Sequence, residues 1–300
     1  MLVVAALGGN ALLRRNEPLD AQTAQRNAKV AAEALVAVAR EHRLVVTHGN
    51  GPQIGLLALQ NEAYDAVRGY PLDVLGAESE GMIGYVLEQE LGNALGDRQI
   101  ASLLTQTVVD PADPAFQRPT KPIGPVYTAD AAHQLAAQRG WTIAPDGDGW
   151  RRVVASPLPL SIVELPTIEL LLANNILVVC AGGGGIPVVV DAFGARHGVE
   201  AVIDKDLATA LLAEKLGADL LVLLTDVAAV ELDWGTPDAR PLHNTTVSAL
   251  RQHEFATGSM GPKIAAATAF VTNTGHPAVI GALADAAAVV AGTAGTRITI

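Results

Sequence analysis

The chain has 300 residues, of which 50% are hydrophobic and 17% charged, and its formal net charge is −11. An acidic surface repels nucleic acid, and no basic run offsets it here, so the composition argues against a nucleic-acid-binding protein. The single cysteine, Cys180, excludes an internal disulfide framework and a CxxC zinc cluster, and the lack of a long apolar run predicts a soluble cytoplasmic protein.

Short apolar runs alternate with segments of helical period along the chain. The runs predict strands at 2–7, 43–47, 101–109, 177–180, 219–224, 277–280 and 296–299. The segments between them predict helices at 22–39, 78–95, 206–216, 262–273 and 281–291. Repeated strand–loop–helix units indicate an α/β fold with a mainly parallel sheet, helices on both faces, and the carboxyl ends of the strands at one edge.

Residues 111–153 interrupt this rhythm, since they contain six prolines as well as Gly147 and Gly149. We interpret the chain as one domain, 1–300, with 111–153 as an irregular excursion or small protruding subdomain over the sheet edge. A stretch of this length without regular structure is typical of a lid or binding element. A surface insertion without a function is the alternative.

Three glycine-rich turns follow predicted strands, and they comprise Gly8-Gly9-Asn10, the segment 48–53 (HGNGPQ) and the segment 182–185 (GGGG). Glycine lets the backbone approach an anion closely, and a helix N-terminus beyond the turn adds favourable dipole charge. One such turn also closes ordinary strand–helix connections, but three at one sheet edge favour an anion site. Neither GxxxxGK[ST] nor GxGxxG is present, so a P-loop enzyme and a nicotinamide dehydrogenase are poorly supported.

Only five of the twenty basic residues are lysine, and three of the five lie in motif-like surroundings: Lys121 (TKP), Lys205 (DKD) and Lys263 (GPK). A transferring phosphoryl group needs compact positive charges around its oxygens, which lysine provides. With Asp204 as a plausible N-cap, Lys205 falls in a first helical turn, where a bound anion would reverse the unfavourable dipole contact. Asp206 is suited to hold Lys205 and a second lysine, or acts only as a dipole partner.

These blocks together resemble the carbamate kinases, within the amino-acid kinase superfamily. The similar stretches follow the family's order through nearly the whole chain: ALGGNAL (6–12), THGNGPQIG (47–55), YPLDVLGAESEGMIGY (70–85), TQTVVDPADPAFQRPTKPIGPVY (105–127), GWRRVVASP (149–157), AGGGGIPVV (181–189), GVEAVIDKDLATALLA (198–213) and GSMGPK (258–263).

The resemblance implies a three-layer αβα sandwich with a mainly parallel sheet of roughly eight strands, assembled as a homodimer. It implies ATP or ADP with Mg²⁺, and reversible phosphoryl transfer between ATP and carbamate that gives ADP and carbamoyl phosphate. The usual direction in the family is ATP synthesis, in arginine or purine breakdown. No metal-binding residue is assigned from the spacing of the carboxylates.

The resemblance also implies residue roles. Lys121 would contact the acid substrate or its phosphoryl group, Lys205 and Asp206 would stabilise that group, and Lys263 would lie near the β–γ bridge of the nucleotide. The implied phosphate and carbamate cradle is Gly8, Gly9, Asn10, Gly49, Asn50, Gly51, Gly183 and Gly184. The implied nucleotide-binding residues are Thr225, Asp226, Met260 and Lys263. His48, within a constrained turn, is interpreted as structural rather than as a general base.

The sequence departs from the family's pattern at Ala228 and Ala229, on the presumed nucleotide side, and at Asp148, within the excursion. Two other hypotheses therefore remain open. One is a kinase of the same superfamily that acts on a different small acid. The other is a non-catalytic protein that binds nucleotide or carbamoyl phosphate.

Overall fold

The computed structural model of the protein describes residues 1–13, 17–64, 69–256 and 260–300, without the side chains of Asn10 and Ala11. None of the helices within these ranges combines the length and hydrophobicity that crossing a bilayer requires.

Strands and helices alternate through most of the described chain. The strands are β1 Leu2–Leu7, β2 Arg43–His48, β3 Ile100–Ser102, β4 Gln106–Val109, β5 Lys121–Tyr127, β6 Thr142–Asp146, β7 Gly149–Val154, β8 Pro159–Ile162, β9 Leu177–Val179, β10 Ile186–Val190, β11 Arg196–Gly198, β12 Leu220–Thr225, β13 Val230–Leu232, β14 Arg240–Leu242, β15 Asn244–Thr246, β16 Ala278–Ala282 and β17 Thr296–Thr299. The α-helices are α1 Gly9–Leu12, α2 Ala21–Glu41, α3 Gly51–Tyr64, α4 Leu72–Leu95, α5 Ala129–Arg139, α6 Leu165–Ala173, α7 Lys205–Lys215, α8 Val247–Leu250, α9 Met260–Thr274 and α10 Ala286–Ala291.

The largest sheet of the described residues has eight strands in the order β15-β17-β16-β12-β1-β2-β9-β3. Neighbouring strands run parallel throughout, apart from the antiparallel pair β16 and β17. The predicted mainly parallel sheet of roughly eight strands is therefore confirmed. The central strand β1 lies between β2 and β12, so the turns that follow these three strands share one edge.

Strand β1 shows why the sheet has helices on both faces. Val4 and Ala6 belong to a core that includes residues of α6, α7 and α9. The alternate residues, Val3, Ala5 and Leu7, belong to a second core with residues of α2, α4 and α10. Because successive side chains of a strand point to opposite faces, a strand buried on both sides is apolar throughout. The three-layer αβα architecture is thus confirmed.

The predicted strand 101–109 is wrong as a single element. Its first part is β3, which pairs with β9 at the edge of the large sheet, and its second part is β4, which pairs with β10 in a separate four-stranded sheet. An apolar run carries no signal of the point at which a chain leaves one sheet for another. The helix predicted at 281–291 is likewise divided, into a 3₁₀ turn at Leu283–Asp285 and α10.

Residues 111–153 contain more regular structure than their prolines suggest. Strands β5, β7 and β6 form an antiparallel sheet in that order, and α5 lies between β5 and β6 in sequence. Pro122 and Pro125 fall in β5, which is an edge strand of this small sheet. An edge strand tolerates proline because its outer N–H groups need no partner in the ladder.

The small sheet packs on helix α3 through two glycines. An ideal Cβ on Gly55 would lie 2.0 Å from the Cα of Gly124, so β5 and α3 approach more closely than any side chain permits. Gly124 has a φ of +73°. Its carbonyl oxygen accepts hydrogen bonds from Nε and Nη2 of Arg151, at 3.0 and 2.7 Å. This contact fixes where β5, and with it Lys121, stands relative to the large sheet.

Gly55→Ala should therefore destabilise the protein, by about 1–3 kcal/mol, because the added methyl group forces β5 away from α3. Gly76→Ala is a matched control in α4, since a Cβ there would meet nothing within 4 Å, and it should leave the free energy of unfolding unchanged or raise it by up to about 1 kcal/mol. Urea unfolding of the two variants measures the difference. Equal stabilities would contradict the close approach of β5 and α3.

Candidate active site

The turns after β1, β2 and β12 touch one another through their backbones. An ideal Cβ on Gly49 would lie 3.1 Å from the amide nitrogen of Gly9, and one on Gly8 would lie 3.0 Å from the carbonyl oxygen of Leu224. Substitution by any larger residue would push these turns apart. The closeness of the neighbouring chain therefore favours glycine at both positions.

The third glycine turn joins this group on its other side. Gly183 has a φ of +65°, and a Cβ on it would lie 2.0 Å from Nδ2 of Asn50. Gly184 has a φ of +97°, and a Cβ on it would lie 2.8 Å from the carbonyl oxygen of Ile203, just before α7. The structure thus brings the predicted glycine turns together at the carboxyl ends of the parallel strands, where α/β proteins bind ligands.

Several of the amides expected to face an anion are already engaged within the protein. The N–H of Gly8 donates to Leu224 at 2.9 Å, that of Gly49 to Leu7 at 3.0 Å, and that of Gly184 to Ala181 at 3.1 Å. These three glycines can shape a phosphate cradle, but their amides are not free to line it. The side chain of Asn10 lies outside the described part of the chain.

Two of the predicted lysines meet at one carboxylate. Lys205 Nζ donates to Asp206 Oδ1 at 2.6 Å, and Lys263 Nζ donates to Asp206 Oδ2 at 3.0 Å. The three side chains are only 10%, 13% and 5% exposed, for Lys205, Lys263 and Asp206 respectively. The second lysine that Asp206 was expected to hold is therefore Lys263, which arrives from α9.

Burial alone would raise the pKa of Asp206, but the charges and hydrogen bonds of Lys205 and Lys263 outweigh it and hold that pKa well below its usual value. Burial lowers the pKa of Lys205, as does the charge of Lys263, while Asp206 opposes both. The carboxylate is thus anionic at neutral pH and holds two ammonium groups that would otherwise repel each other.

Lys121, from the excursion, pairs with Asp204, two residues before Asp206. Its Nζ donates to Asp204 Oδ2 at 2.6 Å. The other oxygen of Asp204 accepts the amide of Asp206 at 2.9 Å, so Asp204 is the N-cap of α7, as its position indicated. Two carboxylates, separated by one residue, therefore bind the three lysines: Asp204 pairs with Lys121 of β5, and Asp206 pairs with Lys205 of α7 and Lys263 of α9. The pairing of Lys121 with Asp204 was not anticipated from the sequence.

Buried hydroxyl groups anchor the first turn of α7 to the sheet. Thr209 Oγ1 donates to the carbonyl oxygen of Lys205 at 2.6 Å, and it lies 2.7 Å from Thr47 Oγ1 of β2. Both threonines are fully buried. A polar residue in the apolar run of β2 is the only sequence signal for this contact, and that signal was missed.

Glu80 of α4 is a second residue that sequence analysis missed. Its Oε1 accepts the amide of Gly182 at 2.6 Å and its Oε2 accepts the amide of Thr105 at 3.0 Å. Burial is the main influence on the carboxyl group, and it raises the pKa of Glu80 to about 8. The side chain of Glu80 therefore holds the third glycine turn in place through the amide of Gly182. An acidic residue on the buried face of a predicted helix was the available signal.

His48 is buried, and its Nδ1 lies 3.2 Å from the carbonyl oxygen of Gly49. Burial, with a smaller effect from the charge of Lys205, lowers the pKa of His48 to about 4. A neutral imidazole held in this turn agrees with the structural role expected of it.

The predicted nucleotide-binding residues lie along the same edge. Thr225 ends β12 and donates to Asp226 at 3.1 Å, and the half-buried Met260 begins α9. Gly258 and Ser259 of the GSMGPK stretch lie outside the described residues. Within the described ranges, no group of three or more His, Cys, Asp or Glu side chains is arranged to hold a metal ion.

Comparisons with known proteins agree with this arrangement. The model of the amino acid kinase family matches residues 1–282. A carbamate kinase of Rhizobium meliloti (strain 1021) is 55% identical over 302 residues, which cover 100% of this chain and 93% of that protein. A carbamate kinase of Haemophilus influenzae is 53% identical, covering 100% and 97%. The solved structure of carbamate kinase from Giardia lamblia bound to AMP-PNP has a TM-score of 0.90 at 43% identity, covering 99% and 98%.

The raised pKa of Glu80 predicts a specific dependence of stability on pH. Because the folded protein binds this proton more tightly than the unfolded chain, the stabilisation is complete below about pH 4.5 and is lost as the pH rises through about 8. His48, with its lowered pKa, contributes little slope above pH 7. The free energy of unfolding should fall by about 1 kcal/mol between pH 7 and pH 8.

Glu80→Gln should remove this slope, whatever its effect on absolute stability, because glutamine does not titrate. Urea unfolding of both proteins at pH 7.0, 7.5 and 8.0 measures the slopes. A slope that is the same in the variant would show that Glu80 does not titrate in this range.

Proposed function

The chain belongs to the amino acid kinase family, and within it to the carbamate kinases, and we propose that Lys121, Lys205 and Lys263 surround the phosphoryl group that it transfers. The reaction is reversible phosphoryl transfer between ATP and carbamate, which gives ADP and carbamoyl phosphate. The observation that supports this assignment is that all three lysines pair with carboxylates of one short segment, Asp204 and Asp206, at the start of α7.

The net charge of the five residues Lys121, Lys205, Lys263, Asp204 and Asp206 suits this chemistry. Three ammonium groups and two carboxylates leave one net positive charge, in a chain whose formal net charge is −11. The transition state of phosphoryl transfer spreads negative charge over the equatorial oxygens of the moving group. Positive groups already fixed in a site with little water stabilise that charge far more than they would in solvent.

The proposed mechanism is direct in-line transfer without a covalent enzyme intermediate. In the ATP-consuming direction, an anionic oxygen of carbamate forms the new bond to the γ-phosphorus, and the bond to the β–γ bridging oxygen breaks, so that ADP leaves with the electron pair. An anionic nucleophile needs no general base, which agrees with a neutral His48. Lys263 would face the bridging oxygen, while Lys205 and Lys121 would face the transferred group.

The nucleotide is proposed to bind together with a Mg²⁺ ion. A Mg²⁺ ion would be held mainly by the nucleotide phosphates and by water, because Mg²⁺ keeps several waters and seldom needs an all-protein cage. When bound, it would supply positive charge that stabilises the transferred phosphoryl group. We assign no protein ligand to it, and Thr225, Asp226 and Met260 stay the proposed nucleotide contacts.

Residues 111–153 are proposed to act as a lid. Lys121 is the first residue of β5, so any movement of the small sheet moves an ammonium group of the site. Closure over bound substrates would exclude water and so suppress hydrolysis of ATP. The ATP-forming direction, a role in arginine breakdown and a cytoplasmic location stay predictions.

A homodimer is proposed to form at the open edge of the large sheet. Helix α4 and the segment that follows β3 expose two large apolar side chains at this edge, Tyr85 at 62% and Leu104 at 54%. A cavity of about 560 Å³ lies beside them, lined also by Glu88 and Ser102. The amide of Ser102 already donates to Glu88 at 3.1 Å, so the exposed apolar side chains rather than open strand pairing would drive association. A second copy of the chain offers the matching surface through two-fold symmetry.

Replacing Tyr85 and Leu104 together by glutamate should convert the dimer into a monomer, because the symmetry of the interface would bury like charges against each other. Sedimentation velocity measures the change. Phe193→Glu is the control, since Phe193 is 97% exposed between β10 and β11, which belong to the separate four-stranded sheet, and it should leave the dimer intact. A dimer that survives the double substitution would place the interface elsewhere.

The assay for the proposed function is ATP formation from carbamoyl phosphate and MgADP. Lys205→Ala should lower kcat by about 100-fold or more, the scale for the loss of one partner of transition-state charge. Lys215→Ala, in the exposed last turn of the same helix, should leave kcat unchanged. Near-normal turnover by a folded Lys205→Ala protein would remove Lys205 from the mechanism. Faster turnover with acetyl phosphate would instead favour a different acid substrate.

A further inference from the structure

We propose that Asp204 is a positioning residue, whose carboxylate holds the ammonium group of Lys121 beside Lys205 and Lys263 before any substrate binds. The proposal rests on the phosphoryl-transfer function and adds a residue to which the resemblance assigns no role. Asp204 would act only through Lys121 and would not touch the substrate itself.

The two oxygens of Asp204 have separate tasks. Oδ1 accepts the amides of Asp206 and Leu207, at 2.9 and 3.3 Å, and so caps α7. Oδ2 accepts Lys121 Nζ at 2.6 Å. Asparagine and serine cap helices as well as aspartate does, so the cap alone does not require a second, charged oxygen. The second oxygen, Oδ2, instead binds Lys121.

The backbone already brings the excursion close to Asp204. The amide of Val202 donates to the carbonyl oxygen of Ala155 at 2.9 Å, and Ala155 forms a bridge with Ala201. Lys121 pairs with Val154 across the small sheet, next to this bridge. The backbone therefore fixes the neighbourhood, whereas the ion pair fixes the end of a long and flexible side chain.

The ion pair is partly shielded from water. The side chain of Asp204 is 14% exposed and that of Lys121 is 29% exposed. A lysine free in solvent must be ordered when the transition state forms, whereas one that is already held requires little reorganisation. The same carboxylate also competes with an anionic substrate for Lys121. Its loss should therefore lower kcat without raising the KM for carbamoyl phosphate.

Asp204→Asn separates these two tasks, because asparagine retains the cap and loses the charge. Its kcat for ATP formation should fall by about 10- to 100-fold, the scale expected when a reacting group is misplaced by about 1 Å. The KM for carbamoyl phosphate should stay the same or decrease. Asp20→Asn is the control, since Asp20 caps α2 through the amide of Thr23 at 2.8 Å and should leave kcat unchanged.

A double-mutant cycle shows whether Asp204 acts through Lys121. In a Lys121→Ala background, Asp204→Asn should cause no further loss of kcat. An unchanged kcat in the single Asp204→Asn variant would overturn the proposal. So would a loss of the same size in both backgrounds, because Asp204 would then act through the helix rather than through Lys121. If Asp204→Asn fails to fold, Asp204→Ser carries the same cycle.

A spectroscopic measurement separates this proposal from the proposed function. With only five lysines in the chain, ¹⁵N NMR can resolve their ammonium groups in the ligand-free protein, and Lys121→Ala assigns the signal of Lys121. Asp204→Asn should shift or broaden that signal and leave those of Lys29 and Lys215 unchanged. An unaltered Lys121 signal would contradict the ion pair. A wild-type protein with the expected signal but no turnover would overturn the function alone.

Discussion

The carboxylate of Asp206 makes it possible to bury two ammonium groups within reach of each other. Without it, Lys205 and Lys263 would repel each other in a site that offers little water, and Lys205 also lies in the first turn of a helix, where the dipole disfavours a cation. Removing one partner from a buried ion pair costs about 3–5 kcal/mol, because it leaves a charge without compensation. Asp206 and the two lysines therefore stabilise one another, and together they keep one positive charge that can attract a phosphate.

The rest of the fold holds this unit in place. Thr47 and Thr209 tie the first turn of α7 to the central sheet, and Glu80 supports the glycine turn that lies against it. A Cβ atom on any glycine of the turn 182–185 would lie less than 3 Å from a neighbouring atom, and one on Gly8 or Gly49 would lie about 3 Å away. Several of their amides donate hydrogen bonds within the protein, so these glycines shape the space beside the lysines. The apolar sheet thus acts as the rigid support of a small polar site.

Sequence patterns predicted the sheet and its helices on both faces, because buried parallel strands are apolar throughout. Because lysine is rare in this chain, they also singled out Lys121, Lys205 and Lys263, which the structure pairs with Asp204 and Asp206. These patterns failed for features that depend on contacts between segments distant in sequence. Pro122 and Pro125 argued against a strand, although an edge strand such as β5 tolerates proline. The apolar run 101–109 carried no signal of its division between two sheets. The buried Glu80 and the Lys121–Asp204 pair depend on segments that are distant in sequence, so no local pattern reports them.

The central claim is that the charge of Asp206 organises the lysines for phosphoryl transfer. Single-turnover ATP formation from carbamoyl phosphate and MgADP by Asp206→Asn tests it most directly, because asparagine keeps the shape of the side chain and loses its charge. The account predicts a folded protein whose rate of transfer is lower by about 100-fold or more. A rate within about twofold of the wild type, a difference of less than about 0.5 kcal/mol in the barrier, would contradict it.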